Sequence, residues 1–138
     1  MKVTIQRKNQ AIHFEGLNPD KLKVEMDGSP TEGGEGKGVR PMELVLMALG
    51  SCSSIDLVLI LQKMRQELRD LNIEVEGKRA EDQVPKVFTE IHLHFILMGN
   101  IEEDKAGRAV ELAVDKYCSV KNSLDPNIKI SYDFEVKA

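Results

Sequence analysis

Apolar and polar positions alternate, or recur at helical spacing, along almost the whole chain, and these two periods predict its elements. Residues 2–7 alternate with Val3 and Ile5 on one face, and residues 11–16 do so with Ile12 and Phe14. Asn9 and Gln10 lie between them, which predicts a hairpin. Leu22, Val24 and Met26 predict a third strand, closed by Asp27-Gly28. The stretch 28–39 is glycine-rich, carries no core pattern and reads as a mobile loop. Pro41 suits a first helical position, and a helix pattern runs from there to about Arg69. Val45, Ala48, Cys52, Ile55 and Leu59 share one side of that helix; Leu44, Met47, Ser51, Val58 and Leu61 share the other. A helix apolar nearly all round must be covered nearly all round. One small sheet cannot do this over such a length, so a second copy of the chain is a physical expectation.

Residues 72–79 then read as a strand with Ile73 and Val75 inward. A turn at Glu81–Pro85 leads to the longest strand, 86–98, with Val87, Thr89, Ile91, Leu93, Phe95 and Leu97 on one face. Glu102 to about Tyr117 is helical, with a stripe of Ala106, Ala109, Val110, Ala113 and Tyr117. Cys118 continues the Val110–Val114 row at i+4 spacing. Asp125-Pro126 stops this region, and residues 127–137 alternate with Ile128, Ile130, Tyr132, Phe134 and Val136 inward. No repeat or linker divides the pattern. It predicts one α+β domain over 1–138: an antiparallel sheet, a long buried central helix and a second helical region.

Composition narrows the partners. The 138 residues are 41% hydrophobic and 30% charged, which places them with globular chains. The net charge of −4 is interspersed, with no basic stripe, so nucleic acid is not expected as a partner. Residues 42–64 are apolar enough to raise a membrane span. Glu43, Asp56, Gln62 and Lys63 argue against one, since a charge near the bilayer centre costs about 3 kcal/mol. The opening MKVTIQRKNQ holds no apolar run of signal-peptide length, so a cytoplasmic setting is expected, where a disulfide would be transient.

Candidate chemistry centres on Cys52 and Cys118, the only cysteines. They lie too far apart in sequence for a redox C-x-x-C pair or a zinc knuckle. Gly50, Ser51, Ser53 and Ser54 flank Cys52 with small side chains that keep sulfur accessible and let another backbone come close. Asp56, one helical turn on, raises a thiol pKa unless a cation offsets it, and Arg7, Lys37, Arg40 and Lys116 are the available cations. Two readings of each cysteine stand together: a reactive thiol, or a buried inert small hydrophobe. His92 and His94 share a strand face with Glu90 and read as surface or packing residues more readily than as metal ligands. The loop Gly33–Gly38 lacks a phosphate-loop pattern: Thr31 stands at the first glycine position and Gly38 follows the lysine. No cofactor or metal is expected.

The run from Pro41 through Cys52 to Asp56, with Tyr117-Cys118-Ser119-Val120 far downstream, is similar to the OsmC/Ohr family, as is the element order over nearly the whole chain. The resemblance implies an intertwined α+β homodimer with its long helices packed at the centre. It implies a cysteine-based peroxidase for alkyl or fatty-acid-type hydroperoxides. Cys52 would attack the O–O bond and become a sulfenic acid, Cys118 would condense with it to a disulfide, and a dithiol, in the family often a lipoylated protein, would reduce that bond. In the family's peroxidases a glutamate directly after the helix-starting proline works with an N-terminal arginine to activate the nucleophile. Here Met42 holds that position and Glu43 follows; Arg7 and Arg40 are the candidate arginines. Glu43 lies roughly 14 Å from Cys52 along one helix, so a contact would come across the dimer. The peroxidases also tend to place proline after the second cysteine, where this chain has Ser119. An alternative use of the same dimer-interface cavity is a non-catalytic site for an apolar ligand.

Overall fold

The short alternating runs at the start of the chain form a three-stranded antiparallel sheet in the computed structural model, which describes residues 1–138. Its strands are β1 (Thr4–Arg7), β2 (Phe14–Leu17) and β3 (Lys23–Met26), in that order, with Ile5 opposite Gly16 and Gly16 opposite Val24. The strands are shorter than the alternation predicts. The Asn9 side chain gathers the turn by accepting the Ala11 and His13 N–H groups at 3.0 and 3.2 Å. After β3 the chain does not wander. Asp27, 2% exposed, accepts the N–H groups of Gly28, Glu35 and Lys37 at 2.8, 3.2 and 3.1 Å. The stretch expected to be a mobile loop therefore has a hydrogen-bonded path around one buried carboxylate. Burial opposes ionisation of Asp27, but these three N–H groups prevail and hold it below the usual carboxylate range.

Two units make up the chain, Met1–Val45 and Leu46–Ala138. Helix α1 (Pro41–Lys63) starts in the first and continues into the second. Leu49, Gly50, Ser53, Leu57 and Leu61 are buried. Gly50 permits close packing on the next strand: a Cβ there would lie 2.9 Å from Val75 Cγ2. The expectation that the helix reaches Arg69 is corrected. It ends at Lys63, Arg65 turns the chain with a left-handed φ of 56°, and β4 (Glu67–Arg79) begins at once. Arg65–Arg69 have good helix propensity, but pairing of β4 with β5 (Phe88–Asn100), starting at Glu67 opposite Asn100, overrides it.

The second sheet has the order β4-β5-β6, with β6 spanning Lys129–Lys137. β4 and β5 are antiparallel, whereas β5 and β6 are parallel, so the single antiparallel sheet expected is instead two sheets, one of them mixed. Ile91, Leu93, Phe95 and Leu97 are buried on β5, as their alternation predicts. Val87 and Thr89 are exposed and Phe88 is buried in their place. A register irregularity at Lys78/Arg79 shifts the phase, and Phe88 settles over Gly77.

A parallel pair needs a crossover. It is built from α2 (Glu103–Glu111), a π-helical turn (Leu112–Tyr117) and α3 (Ser119–Ser123). Ala106, Ala109, Val110, Ala113, Val114 and Cys118 are fully buried. Tyr117, expected on the buried stripe, is 50% exposed: the wider turn changes the phase of the residues that follow it.

Candidate active site

One row of α1, Leu49–Ser53–Leu57–Leu61, is fully buried, and Ser53 is its only polar member. Its hydroxyl back-bonds to the Leu49 carbonyl at 2.9 Å and lies 3.4 Å from the sulfur of Cys118. Cys118 stands at the junction of the π turn and α3. Its backbone is extended (φ −67°, ψ 104°), and its sulfur caps α3 by accepting the Lys121 N–H at 3.4 Å. Asn122 secures the same turn through its side-chain amide to the Cys118 carbonyl at 2.8 Å. The Cys118 sulfur also approaches the Leu49 carbonyl at 4.0 Å.

Cys52, next to Ser53 and half-buried, lies near enough to Cys118 to bear on its ionisation. Both sulfurs are free thiols. Burial pushes the Cys118 thiol up, the Ser53 hydroxyl and Lys121 N–H pull it down in part, and Cys52 pushes it up again. At neutral pH Cys118 is thus a protonated thiol in a dry setting, beside a partly accessible second thiol.

The other candidate residues lie apart from this cluster's hydrogen bonds. Asp56 forms no ion pair and is half-buried one turn after Cys52. Arg7 donates to the Ala11 and Gln10 carbonyls of its own hairpin at 2.8 and 2.6 Å. Arg40 and Glu43 serve each other: the Arg40 N–H donates to Glu43 Oε1 at 2.8 Å, and the guanidinium lies 3.6 Å from the same oxygen. Lys37 pairs with Glu35 at 2.6 Å, and Lys116 sits 5.2 Å from the Tyr117 ring centre. Every candidate cation is engaged by a neighbour in sequence. His92 and His94 are bound by β6: Asp133 Oδ1 lies 3.1 Å from His92 and 2.6 Å from His94, and Ser131 is 2.8 Å from His92. Glu90 pairs instead with Lys78 at 3.5 Å. No group of three or more His, Cys, Asp or Glu residues is arranged to hold a metal. A depression of about 250 Å³ on this sheet, lined by Glu76, Glu90, His92 and Lys129 among others, contains neither cysteine.

Ser53 and the Lys121 N–H both contact the Cys118 sulfur, which residue-type reasoning misses. The signal for Ser53 was present: a lone polar residue at i+4 and i−4 from buried leucines. Lys121 acts through its backbone, which leaves no mark in the sequence.

The chain as a whole has known counterparts. Residues 34–133 match the family model for OsmC-like protein. Protein YhfA of Escherichia coli (strain K12) is 41% identical over 130 residues, covering 94% of this chain and 93% of that protein. The crystal structure of a hypothetical protein from Aquifex aeolicus VF5 is 34% identical with a TM-score of 0.81, covering 99% of this chain and 97% of that one. An organic hydroperoxide resistance protein OsmC from Legionella pneumophila shares the fold at 18% identity and a TM-score of 0.70, covering 100% of this chain and 98% of that one. With a family model spanning most of its length and a relative at this identity, the chain belongs to the OsmC-like protein family.

Proposed function

We propose that this protein is a thiol peroxidase for organic hydroperoxides, working as a homodimer in a reducing cytoplasm. One observation supports the reading: Cys52, distant in sequence, lies near enough to Cys118 to bear on its ionisation, with Cys118 fully buried and Cys52 partly open. The Cys52 thiolate attacks the outer peroxide oxygen, the O–O bond breaks, the alcohol leaves with a proton, and Cys52 becomes a sulfenic acid. Cys118 then displaces the sulfenic hydroxyl as water and closes the disulfide. A dithiol, such as a lipoyl group on a protein, reopens it by exchange. The Legionella structure named as an organic hydroperoxide resistance protein supports the substrate class through its shared fold.

A second reading, a non-catalytic site for an apolar ligand, is favoured by a different observation. Arg7, Lys37, Arg40 and Lys116 are each engaged elsewhere, so none of the four candidate cations pairs with Cys52. One experiment separates the two. Reduced protein is mixed with an alkyl hydroperoxide, and thiols and intact mass are followed. The peroxidase loses two thiols per chain; Cys52→Ser abolishes consumption, and Cys118→Ser accumulates a trappable sulfenic acid. Unchanged thiols in the parent protein, or full turnover by Cys52→Ser, would refute the peroxidase.

A further inference from the structure

We propose that Ser53 is a positioning residue for Cys118: its hydroxyl hydrogen swings from the Leu49 carbonyl to the Cys118 sulfur when that sulfur becomes a thiolate. The use of this swing in turnover rests on the peroxidase reading; the swing itself does not.

A serine hydroxyl has one hydrogen. Ser53 Oγ faces two acceptors, the Leu49 carbonyl at 2.9 Å and the Cys118 sulfur at 3.4 Å. With Cys118 protonated, the carbonyl is the stronger acceptor and holds the hydrogen, and the thiol hydrogen is directed at Ser53 Oγ or at the Leu49 carbonyl, 4.0 Å away. A thiolate reverses the order. It is an anion in a site that is 0% exposed, so water does not solvate it. The donors facing it are the Ser53 hydroxyl and the Lys121 N–H, also at 3.4 Å. The backbone donor is fixed; the hydroxyl is the one that can turn. Stability alone gives no reason for a hydroxyl here, because back-bonding within a helix slightly weakens it and alanine is the better helix former.

The step served is disulfide closure. The Cys118 thiolate attacks the Cys52 sulfur, the S–S bond forms, and the S–O bond breaks. The departing hydroxide takes up the proton that Cys118 released and leaves as water. One sulfur is oxidised and the other reduced by the same amount, so no outside oxidant enters this step.

The test begins without peroxide. In a Cys52→Ala protein carrying 13Cβ-labelled cysteine, NMR follows the ionisation of Cys118 alone. Adding Ser53→Ala is expected to raise its midpoint by about one pH unit, a tenfold loss of thiolate at fixed pH. A second reading needs no change at Ser53: the Leu49 carbonyl 13C shift should move with the same midpoint as Cys118, because the carbonyl loses the hydroxyl. In the two-cysteine protein, one equivalent of alkyl hydroperoxide should first oxidise Cys52, and the closure step in Ser53→Ala is read after that. The sulfenic acid should persist about threefold longer before closure, because the tenfold loss of thiolate is partly offset by the greater nucleophilicity of the thiolate that remains. Equal Cys118 midpoints with and without Ser53→Ala overturn the proposal. Should Ser53→Ala not fold, a Leu49 shift that stays flat through the Cys118 transition overturns it by itself. If the midpoint moves while hydroperoxide leaves both thiols intact, the swing stands and the peroxidase reading falls.

Discussion

Asp133 sits between two imidazoles, and that position bears on the charge of one of them, His94. Its Oδ1 lies 2.6 Å from His94 Nδ1 and 3.1 Å from His92 Nε2. The Asp133 hydrogen bond holds His94 above the ordinary histidine value, and the His94 bond in turn holds Asp133 below the ordinary carboxylate value. The signs define a window. The raised His94 contributes stability in full below about pH 6.5 and loses it as pH climbs through its folded value. The depressed Asp133 contributes above about pH 3.9 and loses it as pH falls through its folded value. Asp133→Asn should therefore lower the His94 midpoint, read from its Cε1–H resonance, with no measurable change in Tm because exposed pairs contribute little. A midpoint that stays in place would show that the bond does not hold His94 charged. The sequence placed both histidines on one strand face correctly. It could not name their partners, because Asp133 and Ser131 arrive through parallel pairing of β5 with β6, which no local pattern encodes.

At the scale of elements, the segment carrying Cys118 is held to the sheet by one carboxylate. Asp115, on the π turn, accepts Tyr132 Oη of β6 at 2.6 Å and Lys121 Nζ of α3 at 3.0 Å. Burial and the Asp115 bond push the Tyr132 hydroxyl up to about 12, so it stays a donor across the working range. Tyr132→Phe deletes that bond and keeps the ring. It should cost about 1 kcal/mol, seen as a Tm lower by a few degrees, with faster amide exchange across residues 116–121. Unchanged exchange there would mean that packing alone fixes the turn. Most elements were legible because their periods are strong: the β5 alternation and the α2 stripe both survive folding. Their ends were not. α1 stops at Lys63 despite helix-forming residues beyond it, since a partner strand claims Glu67 onward. The π turn likewise leaves no composition signal, yet it separates exposed Tyr117 from buried Cys118.

Over the whole molecule, the apolar surface that the chain leaves uncovered is what asks for a partner. Single exposed apolar residues are ordinary, but a contiguous stripe marks an interface. On α1, Met47, Ile55 and Leu59 are 51%, 63% and 50% exposed and lie on a face away from the buried Leu49–Leu61 row, which corrects the expected grouping of Met47 with Leu61. The first unit separately exposes Val3, Ile5, Leu22 and Val24. By length and hydropathy alone α1 is also able to cross a membrane. Its fully buried row, with Ser53 bonded to the cysteine cluster, is instead the signature of a helix packed in protein on one side. The homodimer proposed above would cover the other side with a second copy. Covering the half of each such side chain that is still exposed brings roughly 1 kcal/mol, and a micromolar dimer needs only about 8 kcal/mol in all. Replacing two per chain, four per pair, by carboxylates that the interface would bury unpaired is enough to dissolve it. Light scattering at micromolar concentration should therefore give twice the 15.5 kDa chain mass for the parent protein and the single-chain mass for Ile55→Asp combined with Leu59→Asp. A parent protein of single-chain mass would refute the homodimer, and a double variant that keeps the doubled mass would place the partner on another face.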